Sequence, residues 1–398
     1  MSGWFAPGRI EVLGKHTDYA GGNVLVCAVN RGVTATVEPG RRGIEARSTA
    51  QEDAITLEPG VAVRLPAGHW GQYLNVVVDR LGANFGPLRP ARLAIDADLP
   101  LASGMSSSSA LVVASAMALA QFNGFDESEA WVAAIRDEVA LAGYLACVEN
   151  GSAFGALSGR AGVGTFGGSE DHTAMLCSQA DHLGLFSFNP AALVERVRLP
   201  DDLAFVVAVS GVSAEKTGAA KDAYNQASRG VAELLARWNA AAGRGDANLA
   251  AAVESDPEAA AVIESLVADE PRLLARLRQF VAESTWIVPA SVEALRAGDR
   301  AALGELVAAS QRWAADGLDN QIPQTEALVE DGRRLGAVAA SSFGAGFGGS
   351  VWALVDRDGA DSFAAEWLAG YVRAHPEPGS RAATLVTRPA GPAHALAD

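Results

Sequence analysis

Residues 6–22 read Ala6-Pro7-Gly8-Arg9-Ile10-Glu11-Val12-Leu13-Gly14-Lys15-His16-Thr17-Asp18-Tyr19-Ala20-Gly21-Gly22. They place titratable side chains between glycines at the end of a strand, which the apolar run from Ile10 to Leu13 predicts. Glycine lets the backbone turn tightly and approach a ligand closely. The side chains of His16 and Asp18 can hydrogen-bond to neighbouring hydroxyl groups. The stretch therefore predicts a sugar pocket.

The composition is that of an ordinary globular protein. With 398 residues, of which 49% are hydrophobic and 20% charged, the chain is long enough for two domains. A net charge of −16 argues against nucleic acid as a partner, and no apolar run approaches the roughly 18 residues of a membrane helix. The start carries no export signal, and Cys27, Cys147 and Cys177 form no C-x-x-C pair. We expect a cytoplasmic protein that is a monomer or a homodimer and does not associate with a membrane.

A second informative segment precedes a predicted buried helix. It reads Leu99-Pro100-Leu101-Ala102-Ser103-Gly104-Met105-Ser106-Ser107-Ser108-Ser109-Ala110, and the helix extends from Ser107 to Phe122. Backbone N–H groups at a helix start, flanked by small side chains, suit an anion. Candidate phosphate-binding residues are Gly104, Ser106, Ser107, Ser108 and Ser109, although such serines also cap helices. The chain has no G-x-x-x-x-G-K-[ST] P-loop.

A third segment is rich in glycine. It reads Ala340-Ser341-Ser342-Phe343-Gly344-Ala345-Gly346-Phe347-Gly348-Gly349-Ser350 and leads into a predicted strand at residues 351–355. Glycines at this density let the backbone take positive φ angles or approach another group closely, at an entropic cost. A glycine-rich turn before a strand is the simpler interpretation of the segment taken alone.

Periodicity divides the chain into a sheet-rich first half and a helical second half. Strands are predicted at residues 10–13, 24–29, 33–37, 92–96, 203–209 and 351–355, and a second helix at residues 127–147. Residues 227–310 read as several helices with breaks at Gly243, Pro257, Pro271, Pro289 and Gly298. The proline-bearing segment at residues 189–202 is the predicted domain boundary, and residues 389–398 are predicted to be loose.

The three segments, in this order, resemble the motifs of the galactokinase, homoserine kinase, mevalonate kinase and phosphomevalonate kinase (GHMP kinase) superfamily. The galactokinase branch is closest, although Lys15 replaces the acidic residue that precedes His-Thr-Asp-Tyr in that family. The resemblance implies an α+β fold of two domains, with ATP and Mg²⁺ as cofactors. A domain of the ribosomal protein S5 domain 2 type would occupy residues 1–195, and a ferredoxin-like domain with added helices residues 196–398.

The resemblance also implies the catalytic residues and the reaction. Asp171 falls on the family's catalytic aspartate, which accepts the proton of the sugar hydroxyl as the phosphoryl group arrives. Arg9 matches the arginine that holds this carboxylate ionised and offsets charge on the phosphoryl group. The reaction would be phosphorylation of the anomeric C1 hydroxyl of a galactose-like sugar. A carboxylate that only caps a helix is the alternative for Asp171.

Residues for the nucleotide and the metal follow from the same resemblance. Trp70, in Trp70-Gly71-Gln72-Tyr73, matches a helix beside the adenine, and Gly346 and the serine segment would contact the nucleotide. Magnesium would be held by Ser107 or Ser108 together with Glu149. Glu170 is a competing ligand.

The sugar itself stays open. His16 and Asp18 match sugar-contacting positions, and Tyr224, downstream of Lys216, matches a tyrosine near the sugar. If Lys15 faces the sugar, it could pair with a carboxylate, and the substrate would be a uronic acid such as galacturonate. If Lys15 points away, to neutralise Glu11 or Glu170, galactose remains the substrate.

Two further functions are open on sequence alone. A non-catalytic sugar and ATP sensor would keep the fold, and the changed neighbours of Asp171 favour it, whereas the retained Arg9 and Asp171 argue against it. A kinase for a mevalonate-like alcohol belongs to the same superfamily but fits His16-Thr17-Asp18-Tyr19 poorly.

Overall fold

The computed structural model describes residues 2–397 except residues 52, 62, 64, 67, 100–103 and 214–217. Lys216 and residues 100–103 of the second segment therefore lie outside the described residues. The first half of the chain forms a sheet covered by helices. Its elements are β1 (Ser2–Leu13), β2 (Asn23–Pro39), β3 (Ile44–Ser48), β4 (Ile55–Leu57), α1 (Gly71–Phe85), β5 (Ala91–Ala97), α2 (Ser107–Asn123), α3 (Glu129–Ala134), α4 (Glu138–Asn150), α5 (Glu170–Cys177), β6 (His182–Ser187) and β7 (Ala192–Arg198).

The long antiparallel pair of β1 and β2 organises this first sheet. β2 pairs with β5 along one half and with β6 along the other, and β3 joins β5 in parallel. α2 packs across β1 and β2, and its side chains from Ser109 to Ala120 are all buried, as its uniformly apolar sequence predicts. This packing places the serine segment beside Arg9, whose backbone N–H donates to Met105 O at 3.3 Å.

Two element predictions in this half are corrected. The helix predicted at residues 127–147 is two helices, because the chain leaves the helical conformation at Ile135 and Asp137 starts α4 by accepting a hydrogen bond from Ala140 N. The strands predicted at residues 24–29 and 33–37 are the single strand β2. Asn30 and Arg31 are exposed on it, which explains the interruption of the apolar pattern.

The second half builds another sheet and a group of helices. Its elements are β8 (Leu203–Val209), α6 (Gly218–Ala242), α7 (Leu249–Glu254), α8 (Ala259–Leu266), α9 (Pro271–Val281), α10 (Val288–Ala297), α11 (Arg300–Leu318), α12 (Pro323–Arg334), β9 (Ala339–Ser342), β10 (Ser350–Asp356), α13 (Ala360–Ala374), α14 (Pro376–Gly379), β11 (Ala383–Thr387) and β12 (His394–Ala395).

The second sheet is antiparallel, in the order β11-β8-β10-β9. One face carries Val206 and packs against α12 and α13 through Leu328 and Trp367, which is the ferredoxin-like arrangement. The other face shares a core with the first sheet, where Ile10 and Phe205 belong to one cluster. The predicted α+β fold is confirmed.

The helix break predicted at Pro289 is wrong. Residues 282–287 form a turn of π-helix that leads without interruption into α10, and Pro289 lies in the first turn of α10. A proline lacks the backbone N–H, which the first turn of a helix does not need. In the π turn, the N–H of Val288 bonds to Glu283 O, five residues back.

The C-terminal tail is tied to the first sheet, so the prediction of a loose tail is also wrong. β12 pairs with the outer edge of β1, with Phe5 opposite His394. Ala390 N donates to Ala28 O at 2.9 Å, and Leu396 N donates to Gly3 O at 2.8 Å. A sheet edge offers unpaired backbone groups, and the tail satisfies them.

The predicted domain limit after residue 195 falls inside β7, which pairs with β6 of the first sheet. A limit between β7 and β8 would keep both sheets intact. Within the described part of the chain, no helix is both long and apolar enough to cross a membrane.

Candidate active site

The three segments singled out in the sequence meet at the side chain of Arg9. Arg9 Nη1 donates to Gly104 O at 2.6 Å. A Cβ atom on Gly344 would lie 2.8 Å from Gly104 O and 3.4 Å from Arg9 Nη2, so the third segment approaches the second more closely than a side chain would permit. Gly104 and Gly344 have φ angles of 81° and 77°. The glycines therefore serve a close approach between segments far apart in the chain.

Arg9 holds the predicted catalytic carboxylate. Arg9 Nη2 lies 2.7 Å from Asp171 Oδ1, and Ser109 Oγ donates to Asp171 Oδ2 at 3.4 Å. Burial disfavours the charged guanidinium, but the negative charges of Asp171, Glu170 and Glu11 outweigh it and raise the pKa of Arg9. Arg9 is thus a permanent cation beside Asp171.

A cavity opens around this pair. Its wall contains the predicted catalytic and sugar-binding side chains, three further carboxylates, a serine and a histidine. These residues are Arg9, Glu11, His16, Asp18, Ser109, Glu149, Glu170, Asp171, His172 and Tyr224. The structure thus brings together residues from β1, the turn after β1, α2, α4, α5 and α6.

Two glycines before α5 let Asp18 and Tyr224 approach the start of this helix closely. A Cβ atom on Gly168 would lie 2.2 Å from Asp18 Oδ2, and one on Gly167 would lie 2.7 Å from the Tyr224 hydroxyl oxygen. Asp18 Oδ2 accepts a hydrogen bond from Glu170 N at 3.4 Å, so Asp18 binds at the start of α5. Asp171 instead pairs with Arg9, which disfavours the helix-capping alternative for it.

Glu11 and Glu170 form a carboxyl pair that the sequence did not identify. Burial raises the pKa of Glu11 to about 7, although Arg9 and Lys15 partly oppose this shift. Burial and the nearby charge of Glu11 raise the pKa of Glu170 well above its ordinary value. The two carboxyl groups lie close enough to shift each other's pKa, so they titrate as a pair. No local sequence pattern reveals this pair, because Glu11 lies in β1 and Glu170 lies in α5, far apart in the chain.

His16 adopts a left-handed backbone conformation, with a φ angle of 58°. Its Nδ1 lies 2.9 Å from the Tyr19 hydroxyl, and its Nε2 lies 3.3 Å from Ala345 O of the glycine-rich segment. The ring centroid lies 5.3 Å from that of Tyr224. The sugar-site prediction for His16, Asp18 and Tyr224 thus corresponds to one cluster of side chains.

Lys15, the neighbour of His16, points the other way. Its Nζ donates to Ser310 Oγ of α11 at 2.9 Å, and Ser310 Oγ donates to Glu283 Oε1 at 2.9 Å. Burial lowers the pKa of Lys15, and the charges of Glu283 and Glu11 oppose that shift. Lys15 is 1% exposed and lies outside the cavity wall, so its assignment as a substrate-binding residue is corrected.

The residues that receive Lys15 also hold the backbone of its turn. Three residues along α9 and the π turn make these contacts, and we call them the turn clamp: Arg276, Gln279 and Glu283. Glu283 Oε1 accepts from Gly14 N at 2.7 Å, and Gln279 Nε2 donates to Lys15 O at 3.1 Å. Arg276 Nη2 donates to His16 O at 2.6 Å. These contacts span more than 250 residues of chain and leave no local trace in the sequence.

The second segment, which the sequence predicts to bind phosphate, is described from Gly104 onward. Ser106 precedes α2 with a φ angle of 57° and forms no side-chain cap, which disfavours capping as its role. Ser109 lines the cavity, whereas Ser107 and Ser108 lie in the first turn of α2 outside the cavity wall.

The two other predicted nucleotide contacts are placed apart from Asp171. Gly346 packs on Asn320, where a Cβ atom would lie 2.5 Å from Asn320 O. Trp70 directly precedes α1 and donates from Nε1 to Asp53 at 3.2 Å. Neither Trp70 nor Gly346 lines the cavity, and their contact with a nucleotide stays a prediction.

The predicted metal ligand Glu149 is 6% exposed and lies in the cavity wall, where its Oε1 is 3.1 Å from His172 Nε2. Among the described residues, no group of three or more histidine, cysteine or acidic side chains could hold a metal ion by itself. A metal at this site would need ligands from the substrate or from water.

The fold and the site define a GHMP kinase. Residues 72–151 match the model of the GHMP kinases N terminal domain, and residues 291–373 match the model of the GHMP kinases C terminal domain. The galactokinase of Lactococcus lactis, solved in complex with galactose, has a similar fold with a TM-score of 0.79 and 23% identity, covering 99% of this chain and 95% of that one. For the L. major mevalonate kinase in complex with R-mevalonate, the TM-score is 0.57 at 17% identity, covering 97% and 96%.

The sequence comparisons show which branch of the GHMP kinases the chain resembles. Residues 2–39 match the galactokinase galactose-binding signature. The galactokinase of Chloroflexus aurantiacus is 30% identical over 374 residues, which cover 92% of this chain and 87% of the relative, and that of Haemophilus influenzae is 29% identical over 364 residues, covering 90% and 86%. The chain belongs to the galactokinase family. It is a kinase, a phosphotransferase with an alcohol group as acceptor.

Proposed function

We propose that this protein transfers the terminal phosphoryl group of ATP to the anomeric C1 hydroxyl of galactose or a galactose-like sugar. The observation that carries the proposal is the Arg9–Asp171 pair, 2.7 Å apart, in a cavity shared with His16, Asp18 and Tyr224. The match of residues 2–39 to the galactose-binding signature supports the same sugar class.

Asp171 is the proposed base. As the C1 hydroxyl oxygen bonds to the phosphorus, the bond between that phosphorus and the bridging oxygen of ADP breaks, and the hydroxyl proton moves to Asp171. Arg9 keeps Asp171 in position through Nη2 and offsets the negative charge that crosses the site. Ser109 fixes the second carboxylate oxygen.

Asp18, His16 and Tyr224 are the proposed sugar contacts. A carboxylate accepts hydrogen bonds from neighbouring hydroxyl groups of a pyranose, and an imidazole can donate or accept. Asp18 is held at the start of α5 by Glu170 N, and His16 by Tyr19 and Ala345. The protein thus orients these groups before the sugar arrives.

The start of α2 and the glycine-rich segment are the proposed phosphate site for ATP. Mg²⁺ would be held by Glu149 together with a serine at the start of α2. The resemblance points to Ser107 or Ser108, whereas Ser109 is the serine of this segment that lines the cavity with Glu149. A carboxylate and a hydroxyl in the cavity region fit a cation that takes oxygen ligands and keeps water and phosphate oxygens for the rest of its shell. When bound, the ion neutralises charge on the phosphate groups.

The other functions lose support. The uronic acid hypothesis rested on Lys15, whose ammonium lies behind the cavity wall on Ser310. The sensor hypothesis rested on the changed neighbours of Asp171, yet Asp171 pairs with Arg9 as a catalytic carboxylate would.

The test is ADP release from MgATP with galactose, galacturonate, glucose and mevalonate as separate acceptors. We expect turnover with galactose and, in NMR spectra of the product, phosphate at C1. ATP binding without turnover of any acceptor would favour the sensor, and turnover of galacturonate in preference to galactose would restore the uronic acid hypothesis. Asp137→Asn, at the exposed start of α4, is a matched control for amide substitution at Asp171.

A further inference from the structure

Glu11 and Glu170 lie in the wall of the sugar cavity but have no role in the proposed phosphoryl transfer. They are 3% and 6% exposed. Glu11 Oε1 and Glu170 Oε1 make no hydrogen bond within the described structure, although Glu170 Oε1 lies 3.4 Å from Arg9 Nε. A buried acceptor without a donor is costly. Both side chains line the cavity, so a donor bound there can approach their carboxyl groups.

The charges of the cavity wall favour a cation. Besides Glu11 and Glu170, the wall carries the carboxylates of Asp18, Glu149 and Asp171. Within the described residues, Arg9 is the only arginine or lysine that lines it, since Lys15 lies behind the wall. His16 and His172 are its other titratable groups of basic type. The acidic side chains of the wall thus outnumber its single guanidinium.

A neutral hydroxyl group would satisfy an acceptor oxygen but would leave the charge of the pair unbalanced. An ammonium group brings three donors and one positive charge, and its hydrogen bonds to carboxylates are stronger than those of a hydroxyl. The rest of the wall, with His16, Asp18 and Tyr224, suits the remaining hydroxyl groups of a sugar.

We propose that Glu11 and Glu170 bind the protonated amine of an amino sugar, so that this kinase prefers an aminohexose of galactose type to galactose. This inference rests on the proposed function and specifies its substrate class.

The test compares kcat/KM of the wild-type protein for galactose, galactosamine, 6-amino-6-deoxygalactose and N-acetylgalactosamine. We expect at least one of the two free amines to exceed galactose by about tenfold or more, the effect of one charge-assisted contact. N-acetylgalactosamine, which keeps the nitrogen but not its charge, should fall below galactosamine. If galactose is phosphorylated and neither amine exceeds it, the inference is wrong and the proposed function stands. If no sugar is phosphorylated, the proposed function fails as well.

The matched variants are Glu11→Gln and Glu170→Gln, which keep shape and remove charge. Each should lower the ratio of kcat/KM for the preferred amine to that for galactose by about tenfold. Glu45→Gln, on an exposed position of β3, should leave that ratio unchanged. An equal change for amine and galactose in the Glu11 and Glu170 variants would make the pair structural only. The wild-type ratio decides the question even if a variant fails to fold.

Discussion

Lys15 and His16 are neighbours in one turn, yet they serve two different regions of the molecule. His16 lies on the cavity face, beside Tyr224 and the glycine-rich segment, where we propose that the sugar binds. Lys15 lies on the opposite, helical face, where Ser310, Gln279 and Glu283 satisfy its ammonium and its backbone. A charge change within a binding motif therefore alters the substrate only if it lies on the cavity face.

Among the residues of the cavity face, Asp171 should have the largest effect on the rate of phosphoryl transfer. We expect Asp171→Asn to lower kcat by about 10²- to 10⁴-fold, since an amide cannot accept the hydroxyl proton. Steady-state ADP release measures the effect, and circular dichroism checks that the variant is folded. An unchanged kcat would show that the catalytic base lies elsewhere.

The helical face should instead govern stability and the position of the turn. We expect Glu283→Gln to lower the free energy of unfolding by about 3 kcal/mol, because it removes the buried counter-charge of Lys15 and weakens the bonds to Gly14 N and Ser310. KM for the sugar should rise more than kcat falls, because the turn carries His16.

Urea unfolding and sugar saturation curves give both quantities for the Glu283 variant. Glu293→Gln, on an exposed position of α10, is the matched control. A Glu283 variant with wild-type stability would show that the turn clamp does not hold the turn.

The cavity face should also make the stability of the protein depend on pH, through Glu11. The pKa of Glu11 is about 7 in the folded protein against 4.5 as its ordinary value, so the folded state binds this proton more tightly. The resulting stabilisation is complete below about pH 4.5 and is lost as the pH rises through about 7, an effect on the order of 3 kcal/mol. Glu11→Gln should abolish it.

Unfolding free energies at pH 5 and pH 8 test this linkage. The wild type should lose more stability over that interval than the Glu11→Gln variant does. Parallel losses in the two proteins would contradict the raised pKa of Glu11.

The smallest effect is expected for Lys15 on substrate choice. Lys15→Met should leave the ratio of turnover for galactose and galacturonate within about twofold of the wild type, although it should destabilise the fold by about 1–3 kcal/mol through the unpaired Glu283. A selective loss of galacturonate turnover would show that Lys15 does read a carboxylate.

Much of the architecture could be predicted from local sequence. α2 was identified to within one residue at its end, because Gly124 follows an apolar run and takes the left-handed conformation that ends a helix. Elements were missed where tertiary contacts override local signals. Pro289 lies inside a continuous helical stretch, and residues 389–397 are ordered because β1 offers them an unpaired edge.

The sequence by itself determined the family, the order of the three segments, and the side chains that can perform the chemistry, because these depend on residue type and spacing along the chain. The tertiary structure decided which of those side chains meet. Arg9 reaches Asp171 across 162 positions, while the ammonium of Lys15 turns from the cavity to Ser310, 295 positions away. The direction of a side chain depends on which buried charges and acceptors surround it after folding, and no local pattern encodes those neighbours.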